Sequence, residues 1–453
     1  MKRLKVAALA LLSALGLTAC EDDDTKYVQF QAVHASVDAP KANVWVDGKA
    51  RFTGVDYASG SGYVRLEEGH RTLRVDVALP ANATATVIPS TTLDLHSSMK
   101  YTAFVVGDAA TGASNAVEAL VVSRSATSTA TSSTLDVQVL HAAAGIPDVN
   151  VYVTAPGASL SASQPVATLG YKDSSGVLNI AGGSYQVRLV TVSGSSVAYD
   201  SGSINLASGS ELTIAAIKTG DTGSSSPVKL LVLDGTNSTV VHDTGSVAEV
   251  RVGHLVDGAP LVDVYIDGSA VTALDNLAYK QIRGYLDLSP KSYDIDVYAD
   301  GTTTSPLIDV NGLALDAGKD YSIYAVGVVS PSVALEPIVV TDNRRPISTS
   351  AVLNVTHAAA NPVAASVDVY LTSSSGIAGA QPAISGLAYK ASTQDIYVAQ
   401  GNYFVTVTVA GDPSTIAINS VPVTLNSGSV YQAVAIDDSG NGGFNLLLSD
   451  ISD

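Results

Sequence analysis

Apolar and polar residues alternate along most of this chain in short runs, the period-two signature of half-buried β-strands. Leu73, Val75 and Val77 alternate with Arg74 and Asp76, and Tyr293, Ile295 and Val297 alternate with Asp294 and Asp296. Other runs are mostly apolar: residues 101–107, 212–217, 321–327 and 431–436 echo one another, and a further strand such as 229–233 closes each unit. About seven strands fall in each stretch of roughly 100 residues, with turn signals between them, which is the spacing of a sandwich. The pattern predicts an all-β chain of four immunoglobulin-like β-sandwich domains in tandem.

The units are marked by one recurring histidine. His34, His141, His254 and His357 each follow an apolar run and are 107, 113 and 103 residues apart. Pro40, Pro147 and Pro260 lie six residues on, and Pro362 lies five on. A short strand follows with an aromatic residue at its centre: Trp45, Tyr152, Tyr265 or Tyr370. Tyr57, Tyr171, Tyr279 and Tyr389 then recur at matching places. Units one and three carry Asp-Gly turns at Gly48 and Gly268, whereas two and four carry Ser-rich insertions with Gln164-Pro165 and Gln381-Pro382. This ordering implies an ancestral pair that was duplicated.

The stretch from His34 through Ala35, Ser36, Val37, Asp38 and Ala39 to Pro40, and the run Asp263-Val264-Tyr265-Ile266-Asp267-Gly268, resemble a bacterial family of secreted and surface proteins, domain of unknown function 4397. The resemblance spans nearly the whole chain after its first 26 residues. It implies a secreted or surface location and carries no activity with it. Units two and four depart from it, with Ala143, Ala144 and Gly145, or Ala359, Ala360 and Asn361, where the family has Ser and Asp.

Residues 1–19 read as a signal peptide: Lys2, Arg3 and Lys5 precede an apolar run from Val6 to Leu17 that is too short for a stable span. Leu17-Thr18-Ala19-Cys20 resembles a lipobox, and Cys20 is the only cysteine of the chain. A lipidated, palmitate-bearing Cys20 would tether the protein to a membrane, since affinity grows by about 0.8 kcal/mol per buried methylene. Residues 20–26 form an acidic tether, and Glu21 in place of aspartate directs the expectation to the outer membrane. The sandwiches are expected at 27–124, 135–236, 248–342 and 352–453. The Ser- and Thr-rich stretch 125–134 and the polar stretches 237–246 and 343–350 read as joints, short enough to favour a rod or a bent chain of beads.

Composition narrows the partners. There are 42 acidic residues against 24 basic ones, a formal net charge of −18. Such a field repels phosphate backbones, so nucleic acid is not an expected partner. With Cys20 committed to lipid, no disulfide is available, and each unit must hold by burial alone.

The chemistry-bearing residues suggest structure before reaction. The four repeat histidines belong to different units and would share a metal only if the units folded onto one another. Each is expected to bond backbone within its own sandwich, with Trp45, Tyr152, Tyr265 and Tyr370 as further structural residues of the repeat. A ligand-binding or pH-sensing role for the histidines is the alternative. His34, Ser36 and Asp38 do not form a nucleophile with an oriented base, because strand neighbours two apart point the same way without aiming at each other. Asp437 to Gly442 resembles the start of a calcium loop, but Leu448 stands where a bidentate Glu is required, and a hairpin connection is the expected role. Tyr199, Tyr298 and Tyr397 do not recur and are the better candidates for stacking sugars. No catalytic residue, cofactor or metal is expected. The leading expectation is an envelope binding or adhesion module, with envelope proteins or surface glycans as partners. A periplasmic scaffold is the second reading and a metal- or glycan-processing enzyme the third.

Overall fold

The computed structural model describes residues 25–194, 196–329, 335–441 and 443–452; the signal peptide and Cys20 lie outside the described residues. Each repeat is a β-sandwich of two sheets. In repeat 3 the first sheet runs Ile282–Leu288, Ala248–His254, Asp320–Val326, Glu336–Asp342, and the second runs Ser269–Ala270, Val262–Ile266, Lys291–Ala299, Ile308–Leu315. The other repeats follow the same plan. In all four the strand ending in the repeat histidine pairs in parallel with the penultimate strand of the first sheet: Tyr27–His34 with Met99–Val106, Thr134–His141 with Glu211–Lys218, Ala248–His254 with Asp320–Val326, and Ala351–His357 with Val430–Asp438.

The alternating residues behave as their period demands. Val44 and Val46 from one sheet meet Val28, Phe30 and Ala32 from the other inside repeat 1, and equivalent sets fill the other three cores. The histidine-bearing strands are different, since Thr134–His141, Ala248–His254 and Ala351–His357 are buried along nearly their whole length. A strand buried on both faces needs cover on both faces. The second cover is another repeat: Val33, Phe104 and Val106 of repeat 1 pack on Leu140, Ile217 and Leu231 of repeat 2. Leu255, Tyr324 and Val326 of repeat 3 likewise pack on Val434 and Ile436 of repeat 4.

The expected rod is therefore corrected: the chain forms two face-to-face pairs, and the joints pack instead of spacing. Ser238–Val241, within the stretch read as the second joint, is a strand pairing with Val228–Leu233 of repeat 2. In the first joint Ser128, Thr129 and Ala130 donate to the Asp136 carboxylate, which these bonds hold well below the usual carboxylate range against the opposing pull of burial. The third joint links the pairs, with Ser348 donating through its backbone N–H and its hydroxyl to Asp38 of repeat 1.

Candidate functional site

The recurring residues come together as one local structure. Nε2 of His34, His141 and His254 lies 3.0, 3.2 and 3.0 Å from the carbonyls of Pro40, Pro147 and Pro260. Nδ1 accepts from the N–H two residues on, Ser36, Ala143 or Val256, at 3.3, 3.3 and 3.4 Å. The proton thus sits on Nε2, which donates to the carbonyl. In repeat 4, Pro362 opens a single 3-10 turn, so His357 Nε2 meets the Ala364 carbonyl at 2.6 Å and Nδ1 has no partner. Each ring meets the recurring tyrosine edge to face at 6.1–6.4 Å. The residue after that tyrosine, Ala58, Lys172, Lys280 or Lys390, has positive φ and donates its N–H to the histidine carbonyl. Tyr57 and Tyr279 extend the motif across each pair, donating to the carbonyls of Lys218 and Asp437.

These contacts fix the places of the other candidates. Trp45, Tyr152 and Tyr265 are half-buried on the outward face of the second sheet, with Trp45 beneath Arg74 at 4.5 Å and Tyr265 edge-on to Tyr298 at 5.1 Å; Tyr370 is buried. Both ring nitrogens of His34 are spent on backbone, and Asp38 accepts from Ala109 and Ala110, so His34, Ser36 and Asp38 are not a relay. Asp437 accepts from the N–H groups of Ala360 and Asn361, and Asp438 from Lys280 and Asn445, in the hairpin between the last two strands. Tyr199 is wholly buried and donates to the Val241 carbonyl, which corrects its reading as a sugar-stacking residue. Tyr397 is half-buried and accepts from the N–H of Lys41 at 3.4 Å.

The site that the sequence did not announce lies where all four repeats meet. A cleft of about 390 Å³ is lined by Asp56 and Tyr57 of repeat 1, Asp221, Lys229 and His242 of repeat 2 and its joint, Lys319, Asp320 and Asp342 of repeat 3, Arg344 and Arg345 of the third joint, and Asp395 of repeat 4. Its charges are internally matched. Lys229 Nζ is 2.8 Å from Asp221 Oδ1, and His242 Nδ1 is 3.0 Å from Asp221 Oδ2. That second contact lacks hydrogen-bond alignment. Gly318 packs here with φ +64, and a Cβ on it would come within 2.4 Å of the His242 ring, so only glycine serves. Burial lowers the Lys229 pKa against the pull of Asp221, while His242 and Lys229 hold Asp221 low against burial.

Carboxylates across the cleft are displaced the other way. Burial, reinforced by Glu249 and opposed by Arg344, pushes Asp320 up to about 7, and burial also raises Asp342 and Asp395. A raised folded pKa means that the folded chain keeps a proton which the unfolded chain has released. This contribution is complete below the unfolded value near 3.8 and is lost as pH rises to about 7. We expect Asp320→Asn to stabilise the protein at pH 8 by roughly 1 kcal/mol or more and to change little at pH 4. Thermal denaturation at the two pH values checks this, and equal effects at both would contradict it.

Two more polar clefts open at the pair interfaces, of about 570 Å³ between repeats 1 and 2 and about 440 Å³ between repeats 3 and 4. Among the described residues, no group of three or more His, Cys, Asp or Glu side chains is placed to hold a metal ion. Fold and site together define a tandem β-sandwich protein whose open polar clefts lie at the seams between repeats. The chain belongs to the family described as Domain of unknown function (DUF4397), whose model matches residues 28–152, 136–247 and 248–370. The first and third segments each run through one repeat and end in the second strand of the next, so both cross from one member of a face-to-face pair into the other. A search of the curated proteins finds no match. Among solved structures, the Bacillus anthracis TIE protein aligns over 90% of this chain and 67% of its own, at 11% identity and a TM-score of 0.15, a likeness that carries no argument.

Proposed function

We propose that this chain is a non-catalytic, lipid-anchored protein of the bacterial envelope that binds a partner at the cell surface. One contrast carries the reading. The recurring histidines have their ring nitrogens committed to backbone, save Nδ1 of His357, while the solvent-open clefts are lined mainly by other polar side chains drawn from different repeats. Pairing repeats creates seams that no single sandwich has, and a seam with convergent polar groups is where a partner is recognised. The anchor is Cys20 in its lipobox, and the acidic tether holds the repeats off the membrane.

The second reading is a periplasmic scaffold that pairs with other proteins through sheet edges. Asp412–Leu425, a strand of 14 residues at the edge of its sheet, favours it. Location separates the two. Cys20→Ser is expected to move the protein from the membrane to the soluble fraction, and continued membrane retention would refute the anchor. With the anchor intact, protease added to whole cells is expected to digest the repeats; protection until lysis would overturn the surface assignment in favour of the scaffold.

A further inference from the structure

The two pairs build the same cleft twice, and the copies differ in what fills them. Between repeats 3 and 4, the third joint drives the Arg344 guanidinium over the Tyr285 ring at 3.9 Å. Its Nε donates to the Ile451 carbonyl at 2.7 Å and its Nη1 to Glu249 at 3.1 Å. Strand register places Gln29, Tyr63 and Gly235 of the first pair at the positions of Glu249, Tyr285 and Ile451. The first joint supplies no cation, since residues 125–134 contain only Ser, Thr and Ala, and among the described residues no cation lies over the Tyr63 ring. Gly235 keeps the space clear: a Cβ there would stand 2.8 Å from that ring.

The geometry points to the cleft between repeats 1 and 2 as a binding site for a neutral saccharide, the counterpart of a cleft whose tyrosine ring is covered by the chain's own Arg344. This rests on the reading of the protein as a binding module and names the ligand. The charged groups of this cleft already have partners: Lys100 Nζ bonds both oxygens of Glu211 at 2.9 and 2.8 Å, the buried Arg124 donates to the Leu212 carbonyl beside Glu211, and Asp234 accepts from the N–H groups of Thr236 and Asn237 and from the Asn237 amide. A charged guest would have to break these pairs or sit unpaired beside them. Apart from the exposed, hydrogen-bonded Asp234, the groups facing solvent are neutral: the Gln29 amide, the exposed Thr236 and Asn237 side chains, and the half-exposed Tyr63. Amides and a hydroxyl beside an aromatic ring match a guest that is rich in hydroxyls and carries an apolar sugar face. The volume, about 570 Å³, is that of an oligosaccharide-sized site, within the roughly 300–1,000 Å³ of small-molecule pockets.

The test uses the mature chain with Cys20→Ser for solubility, incubated on a printed array of neutral and acidic glycans. The free form of the brightest glycan is then titrated calorimetrically. We expect neutral glycans to be retained, one site per chain, and affinity to fall at least tenfold in Gln29→Ala/Asn237→Ala. Both residues are exposed, so the thermal midpoint should stay within a degree or so of the parent. An array without signal, retention of acidic glycans alone, or binding that the double substitution leaves unchanged would overturn the assignment. Attachment of cells that persists with the doubly substituted chain would keep the surface-binding reading and remove this cleft from it.

Discussion

Arg345→Ala is expected to part the two pairs of sandwiches. The side chain leaves the third joint and enters repeat 1, where Nη1 donates to the carbonyls of Val37 and Ala39 at 2.8 and 2.9 Å and Nη2 to Asp56 at 3.0 Å. Only 6% of it is exposed, and it lies over the Tyr57 ring at 5.3 Å. Truncation strands two carbonyls, which at roughly 1–3 kcal/mol for each unsatisfied group amounts to a few kcal/mol of docking energy, while Asp56 keeps the Tyr57 N–H and Lys41. Other polar links also cross between the pairs: Ser348 of the third joint to Asp38, Lys41 to Tyr397 and Asp395, and Thr222 of repeat 2 to Glu249 and Asp320 of repeat 3. Small-angle scattering should show a larger radius of gyration, and protease should cut within 343–350 while each pair stays folded. Arg345→Lys should fall between the two, because an ammonium keeps the charge but cannot reach three acceptors in one plane. A scattering profile unchanged in Arg345→Ala would show that the pairs are held by something else.

The second large effect is expected at His34. Its ring is wholly buried and satisfies the Pro40 carbonyl and the Ser36 N–H while meeting Tyr57 edge to face. His34→Ala leaves both backbone groups unpaired and a cavity between strand and loop, at a cost of roughly 3–5 kcal/mol to repeat 1. The same burial lowers the pKa of His34 to about 4 and depresses His141, His254 and His357 as well. A depressed histidine binds its proton less readily folded than unfolded. Its contribution is complete above the unfolded value of 6.5 and drains away as pH falls towards about 4. The raised carboxylates of the central cleft act in the opposite sense, so the histidine share is isolated by difference. Thermal denaturation at pH 7.5 and 4.5 should show that His34→Ala loses less on acidification than its parent. A larger loss in the variant would contradict the neutral buried ring, and an unchanged midpoint at pH 7.5 would contradict its role as a structural plug.

Much of this was legible residue by residue. Alternation in Leu73, Val75 and Val77 gave the core face of one strand, and the spacing of the four histidines gave the repeats, because both properties are local. The pairing of repeats was written more faintly. Val33 beside Ala32 and Leu140 beside Val139 put apolar side chains on both faces of a strand, yet alternation identifies a buried face without naming what buries it. Tyr199 misled because an isolated tyrosine in a polar stretch reads as exposed, whereas its hydroxyl reaches a backbone carbonyl 42 residues away.

The clefts were beyond that reach. Asp56, Asp221, Asp320 and Asp395 share no spacing, and the one signal was the Arg344-Arg345 doublet before Pro346 in a joint of a chain with few cations. The sequence by itself determined the strands, the four sandwiches and the histidine motif, since each depends on contacts within one repeat or on a short linear pattern. Tertiary structure alone decided that repeats pair face to face, that Arg344 covers the Tyr285 ring in one seam, and that a charged cleft forms where four repeats meet. Those features depend on which sheet covers which, a balance of buried area and matched charge between residues as much as 308 positions apart.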